Sequence, residues 1–324
     1  MRTPDFWSRQ TFGARILRTL LTPIGWIYGA TVARKAKKST PYRPQAKVIC
    51  VGNLTVGGTG KTPITGYIAE QLKAKGLRVF ILTRGYGGRT TRPTIVDLEQ
   101  DTAEEVGDEA LMLARSAGVI VARNRQEGAE LADKRGAQVV LMDDGHQNFA
   151  LAKDLSLVVV DAETGFGNGG IVPAGPLRES VAQGLARADA VVLVGDGSPD
   201  LQGFSKTVTR ARLAPQDTAS LRAKRVVAFA GIGRPEKFFQ SVRGAGAEIV
   251  HTQAFGDHHT YSASEMARLL RRARTANAEL ITTEKDFVRL TPIEREGILT
   301  LPIRAEFEDP TLLSGLLDSV TAAV

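Results

Sequence analysis

Behind the apolar run at 48–51 the chain reads Thr55-Val56-Gly57-Gly58-Thr59-Gly60-Lys61-Thr62. A buried strand that ends in a glycine-rich turn, with Gly-Lys-Thr opening a helix, can cradle phosphate. The glycines let backbone N–H groups close round the oxygens, and the helix N-terminus adds partial positive charge. Lys61 would reach the β- and γ-phosphates of a nucleoside triphosphate such as ATP, and the Thr62 hydroxyl would serve Mg²⁺. The general pattern asks for glycine where this chain has Thr55, so the loop is a variant of the Walker A form. Val139-Val140-Leu141-Met142 then leads into Asp143 and Asp144, in the manner of a Walker B strand with its tip carboxylate. Adjacent acids repel unless a cation lies close by, which favours Mg²⁺ there over a plain Asp-Asp-Gly turn.

Three further segments carry chemistry. Arg84-Gly85-Tyr86-Gly87-Gly88-Arg89 sets two arginines and a tyrosine on a flexible scaffold, and Gly145-His146-Gln147-Asn148 follows the paired acids. Asp257-His258-His259 lies just ahead of Ser262-Ala263-Ser264-Glu265, a capping box that starts a helix near 263. Neighbouring histidines rarely point the same way, so a metal pair is disfavoured. A histidine oriented by a carboxylate for proton transfer competes with a plain surface histidine. In Gly107-Asp108-Glu109, local sequence favours Asp108 as a helix cap over a base or metal ligand.

These segments need a scaffold. Apolar runs at 48–51, 79–83, 119–122, 139–143, 157–161 and 190–194 alternate with helical patterns at 64–74, 109–116 and 126–135. The runs are too apolar to have a wet face, which predicts an α/β fold with a P-loop NTPase-type parallel sheet flanked by helices. Ligands in such sheets collect beyond the carboxyl ends of the strands, so the candidate segments are expected on one edge. After a polar stretch at 215–223 a second series begins, with strands at 226–229, 248–254 and 280–283 and helices at 235–242 and 262–273. The expected division is an arm at 1–40, a P-loop core at 41–224 and a smaller α/β lobe at 225–324.

Among the 324 residues, Cys50 is the single cysteine, which excludes an internal disulfide framework. The net charge of +7 is concentrated: residues 1–47 hold ten Lys/Arg against Asp5 alone. Phe6, Trp7, Phe12, Ile16, Leu17, Leu20, Leu21, Ile24, Trp26, Ile27 and Tyr28 recur between those arginines at helical spacing. A cationic amphipathic helix with Trp and Phe on its apolar side describes an anchor lying at a membrane surface. It is expected to be too short, and too interrupted by Pro23, Gly25 and Gly29, to cross a bilayer. Packing on the core and nucleic-acid binding are the competing readings, and no nucleic acid is expected.

The run Val51-Gly52-Asn53-Leu54 through Lys61-Thr62-Pro63 closely resembles the P-loop of the tetraacyldisaccharide 4′-kinases, the lipid A 4′-kinases. The resemblance continues through Thr83-Arg84-Gly85-Tyr86-Gly87, Gly107-Asp108-Glu109-Ala110, Asp143-Asp144-Gly145, Pro173-Ala174-Gly175-Pro176-Leu177-Arg178-Glu179, Phe255 with Asp257-His258-His259, and Thr283-Glu284-Lys285-Asp286. It implies transfer of the ATP γ-phosphate to the 4′-hydroxyl of tetraacyldisaccharide 1-phosphate at the cytoplasmic face of the bacterial inner membrane. It also implies Asp108 as base, assisted by His258 before His259. The loop of Thr55, Gly57, Gly58, Thr59, Gly60, Lys61 and Thr62 would hold ATP. Asp143 and Asp144 would serve Mg²⁺ with Thr62, with Glu109 and Glu179 contributing. Arg84, Tyr86, Arg125, Gln147 and Asn148 would meet the phosphorylated sugar. His146 and Asn148 depart from the Phe and His that many members carry after Asp-Asp-Gly. The alternative class is a membrane-associated P-loop switch ATPase. A small-molecule kinase is the nearer rival among enzymes. A GTPase is disfavoured, because Thr283-Glu284-Lys285-Asp286 has the wrong order for a guanine-reading segment.

Overall fold

The computed structural model describes residues 4–9 and 11–322; Arg2 of the basic arm lies outside them. The first series of strands is β1 (Lys47–Gly52), β2 (Val79–Thr83), β3 (Thr94–Ile95), β4 (Gly118–Val121), β5 (Val139–Asp143), β6 (Leu155–Asp161), β7 (Ala190–Val194) and β8 (Thr207–Pro215); all but β3 and β8 grow from the apolar runs and are mostly buried. The second series supplies β9 (Arg225–Ala230), β10 (Glu248–Ala254), β11 (Glu279–Thr283), β12 (Ile298–Leu301) and β13 (Ile303–Phe307). Nine strands form one sheet in the order β13-β8-β7-β6-β1-β5-β2-β4-β3, and four form a second in the order β10-β9-β11-β12. Pairing is parallel except where β3 meets β4 and β13 meets β8.

Alternation along β1 shows how the large sheet is stabilised. Ile49 and Val51 face one layer, with Ile64 and Ile68 of helix Lys61–Ala74. Val48 and Cys50 face the other, with Ala129 and Ala132 of helix Arg125–Lys134. Successive side chains point to opposite faces, so a sheet covered by helices on both sides requires apolar residues at every position. Each such side chain contributes about 1.5–3 kcal/mol by leaving water.

The expected boundary at 225–324 needs correction. β13 leaves the small lobe and pairs antiparallel with β8, from Ile303 opposite Pro215 to Phe307 opposite Ala211. Helix Pro310–Thr321 follows, and its Leu313 and Leu317 join the core of the large sheet. Without this return, β8 would end the sheet with unpaired N–H and C=O groups. β8 escapes the sequence reading because only Thr209 and Ala211 along it are buried, so it lacks the continuous apolar run of the central strands.

The arm is one helix, Phe12–Lys38, of 27 residues, unbroken by Pro23. Gly25 and Gly29 do not interrupt it; they are its contact with the core. A Cβ at Gly25 would lie 2.7 Å from the Ile171 carbonyl oxygen, and one at Gly29 would lie 2.8 Å from Ile171 Cδ1. The large side chains point away from that contact: Phe12, Leu20, Trp26 and Ile27 are exposed, Trp26 at 68%. Trp7 differs, its Nε1 donating to Pro173 O at 2.9 Å. Among the described residues no helix is long and apolar enough to cross a membrane.

Candidate active site

The phosphate loop leaves β1 and enters helix Lys61–Ala74 through Gly60, whose φ of 85° is left-handed and suits glycine. Gly57 and Gly58 are exposed, and a Cβ on either would meet nothing within 4 Å, so their backbone borders open space. Below them Thr59 is buried and pairs with the Asn53 amide at 3.3 Å, while Thr55 bridges to Leu177. Lys61 and Thr62 are half-buried in the first helical turn.

β5 lies beside β1 in parallel register, Val51 opposite Asp143, so the tip carboxylates end next to the loop. Lys61 Nζ stands 3.6 Å from Asp144 Oδ1, and Arg178 donates to both Asp144 oxygens at 3.0 Å. Burial opposes the charge of Asp144, but Lys61 and Arg178 outweigh it and hold the carboxyl below its usual range. Asp143 goes the other way. Burial, reinforced by the nearby charge of Glu109, pushes it up to about 7, and its bond from Thr65 Oγ1 at 3.0 Å does not offset that. A buried carboxylate facing further carboxylates is short of positive charge. An oxygen-only donor set of Thr62, Asp143, Asp144 and Glu109 suits Mg²⁺. Among the described residues no preassembled cage of three or more His, Cys, Asp or Glu exists.

Asp108 is the first residue of helix Asp108–Leu113, and Gly107 is the N-cap. Asp108 Oδ1 accepts from Glu109 N at 2.8 Å, satisfying a helix-end donor. Its Oδ2 accepts from His258 Nδ1 at 3.0 Å, across the boundary between the lobes. His258 sits at φ 57°, a left-handed conformation uncommon for a side-chain-bearing residue, with its N–H on Gly231 O at 3.1 Å. Burial pushes the Asp108 carboxyl up, but the His258 hydrogen bond and the Lys285 and Arg289 cations outweigh it. The group is held well below the usual carboxylate range and stays ionised. His259 turns elsewhere, to Glu265 at 3.1 Å and a stack on Phe255 with centroids 4.6 Å apart.

The residues expected to meet the sugar divide. Arg84 and Tyr86 are exposed at the mouth, and the Tyr86 ring lies 5.9 Å from that of His258. Arg125 lies deeper: it is 5% exposed and donates to Ala122 O at 2.7 Å and to Asp143 O, so it ties strand ends together. Asn124 caps the helix and turns that first residue inward. Gln147 donates to Asn53 O and Glu179, and Asn148 accepts from Ala150 N, so both brace the turn after β5. Glu179 is 1% exposed and balanced by Arg187 at 2.7 Å; it reaches the Asp144 group only through Gln147 and Arg178. His146 is buried between Ser156 Oγ and Gly184 O, and burial brings its pKa down to about 3, so it stays neutral.

A family model described as tetraacyldisaccharide-1-P 4′-kinase (LpxK) matches residues 17–321. The chain belongs to this family. It is 46% identical to the tetraacyldisaccharide 4′-kinase of Paramagnetospirillum magneticum, over 99% of both chains. It is 49% identical to that of Maricaulis maris, over 100% of this chain and 97% of the relative. Its fold is similar to the crystal structure of LpxK from Aquifex aeolicus in complex with ATP, with a TM-score of 0.76 and 25% identity over 94% of this chain and 99% of that one. The P-loop fold class and the kinase class expected from sequence are thereby borne out. Two cations beside this site were given no role in the sequence reading, Lys285 although its motif was noted and Arg289 beyond it. Lys285 Nζ lies 3.5 Å from Glu109 Oε1 and 3.4 Å from His258 Nε2, and Arg289 is paired with Asp108. Both belong to a segment whose local pattern is an ordinary short helix, Glu284–Phe287, and its exit.

Proposed function

We propose that this chain transfers the γ-phosphate of ATP to the 4′-hydroxyl of tetraacyldisaccharide 1-phosphate, with Asp108 as base. The observation that carries this reading is the Asp108–His258 bond between the lobes, at the mouth of a site whose other wall is the phosphate loop. Gly57–Gly60 backbone donors and Lys61 hold the triphosphate. Thr62, Asp143 and Asp144, with Glu109 near, hold Mg²⁺, which when bound neutralises charge on the transferring phosphoryl group. Asp108, kept ionised, orients the acceptor hydroxyl and takes its proton. The transition state of such transfers is loose, so the proton leaves late and a weakly basic carboxylate suffices. His258 holds Asp108 in place, and Arg84 and Tyr86 at the mouth meet the phosphorylated sugar. The two lobes exclude water and limit futile hydrolysis.

An acyl-chain acceptor also accounts for the arm. Helix Phe12–Lys38 presents its large apolar side chains to solvent and ends in Arg34, Lys35, Lys37 and Lys38. That arrangement suits the cytoplasmic surface of an anionic bilayer, at about 1 kcal/mol for each basic residue near it. The test is transfer of label from γ-labelled ATP into tetraacyldisaccharide 1-phosphate in detergent micelles with Mg²⁺. Labelled lipid, abolished in Lys61→Ala and reduced at least about 100-fold in Asp108→Asn, is expected, since a positioned base contributes roughly 10²–10⁴-fold. ATP turnover with no labelled lipid would replace this reading with that of a switch ATPase.

A further inference from the structure

Phosphoryl transfer as described makes no use of Thr283-Glu284-Lys285-Asp286 or of the buried arginine that follows it. Arg289 is 6% exposed. A guanidinium so placed persists only if its donors are matched, and here they are matched from both lobes. Nε donates to Asp108 Oδ2 at 2.9 Å, and one terminal nitrogen donates to the same oxygen. The other terminal nitrogen donates to Gly231 O at 2.9 Å and to Asp286 Oδ1 at 2.8 Å. Asp286 is itself immobilised: it accepts from Tyr261 Oη at 2.8 Å, Thr283 Oγ1 at 2.7 Å and Gly231 N at 3.0 Å. Glu284 accepts from Arg304 of β13 at 2.9 Å, which fastens the same segment to the strand returning to the large sheet.

The oxygen that Arg289 grips is the one His258 grips. Oδ2 is thus saturated. Oδ1 accepts from Glu109 N and keeps a lone pair for an acceptor hydroxyl. We propose that Arg289 is a positioning residue for phosphoryl transfer: its planar fork locks the Asp108 carboxylate in one orientation and makes that lock depend on the small lobe being docked. The proposal rests on the reading of Asp108 as base. A lysine could not replace the fork, because one ammonium cannot hold an Asp108 oxygen by two donors while also bridging to Asp286 and Gly231.

The experiment measures kcat for lipid transfer, KM for ATP and the unfolding temperature in Arg289→Met, Arg289→Lys, Asp108→Asn and the Asp108→Asn/Arg289→Met double variant. Arg295→Met is the control: Arg295 donates to Phe287 O and Val288 O on the same segment and lies over the Phe287 ring. Arg289→Met is expected to lose about 100-fold in kcat, the scale of a misplaced catalytic group, with KM for ATP nearly unchanged. Arg289→Lys, which keeps the charge and secures folding, should lose about 10-fold, and Arg295→Met less than about 3-fold. The double variant should be no slower than Asp108→Asn, because two changes acting through one carboxylate are not additive. Arg289→Lys at the wild-type kcat, or an Arg289→Met loss that multiplies in full on the Asp108→Asn background, overturns the positioning role and leaves the base standing. Asp108→Asn at the wild-type rate overturns the base, and the positioning role with it.

Discussion

Asp143 and Asp144 are adjacent in sequence and opposite in electrostatics. Asp144 projects toward Lys61 and Arg178, whereas Asp143 is enclosed and meets the charge of Glu109. The linkage for Asp143 follows from its pKa being pushed up to about 7 from an unfolded value of 3.8. The stabilisation is fully present below the unfolded value and is lost as pH rises through 7. In protein free of Mg²⁺ and nucleotide, Asp143→Asn, which keeps the Thr65 bond, should therefore raise the unfolding temperature at pH 8 and raise it far less at pH 4.5. Calorimetry at the two pH values checks this, and a variant less stable than wild type at pH 8 would refute it. The same substitution should weaken Mg²⁺-dependent ATP binding at least about 10-fold, which is the usual trade between activity and stability. At this scale the sequence was informative where a residue's role is local. The phosphate loop and the strand-tip acids are read from their neighbours in the chain. The burial of Arg125 was not legible in this way, because only packing turns it onto Ala122 and Asp143.

For the elements, the amphipathic arm shows what periodicity can and cannot say. The alternation of arginines with Leu, Ile and Trp predicts a helix, and the glycines in it predict an interruption. The helix continues because those glycines are the contact: absence of a Cβ brings its backbone against Ile171. Gly25→Ala would force a Cβ onto a carbonyl oxygen and should cost about 1–3 kcal/mol of docking, seen as faster proteolysis after Lys38. Gly29→Ala meets only the end of the Ile171 side chain, which can rotate, and should behave like wild type. The outward face yields a second expectation. Leu20→Ser with Ile27→Ser should reduce sedimentation with anionic vesicles, and raised salt should reduce it further by screening the basic residues. Unchanged sedimentation in both conditions would count against the membrane-surface role.

Across the whole molecule, β13 and helix Pro310–Thr321 return to the large sheet, so the small lobe is a long excursion and its chain leaves and re-enters beside β8. Truncation after Pro302 removes both. It should expose the β8 edge and the core around Leu313 and Leu317, giving an aggregating protein and not an active core. Soluble, active protein after that truncation would show the return to be dispensable. The excursion also explains how a site is built from residues 150 apart in the chain, as Asp108 and His258 are. Two anchors at β8 and β13 confine the small lobe, so its Asp257–His259 loop and its Arg289 can be held against the large lobe at fixed distance.

By itself the sequence determined the parallel sheet, the phosphate loop, the paired acids at the tip of β5, the capping box before helix Ala263–Thr275 and the family. All of these rest on interactions within a few residues or on the repeated burial pattern of a strand. The tertiary structure alone decided which histidine meets Asp108, that Arg125 is buried against backbone carbonyls and Glu179 against Arg187, and that Arg289 binds Asp108. It also decided that the last strand belongs to the first sheet. Each of these depends on partners far apart in the chain. Burial and pairing at such distances follow from the packing of lobes, and local spacing carries no record of it.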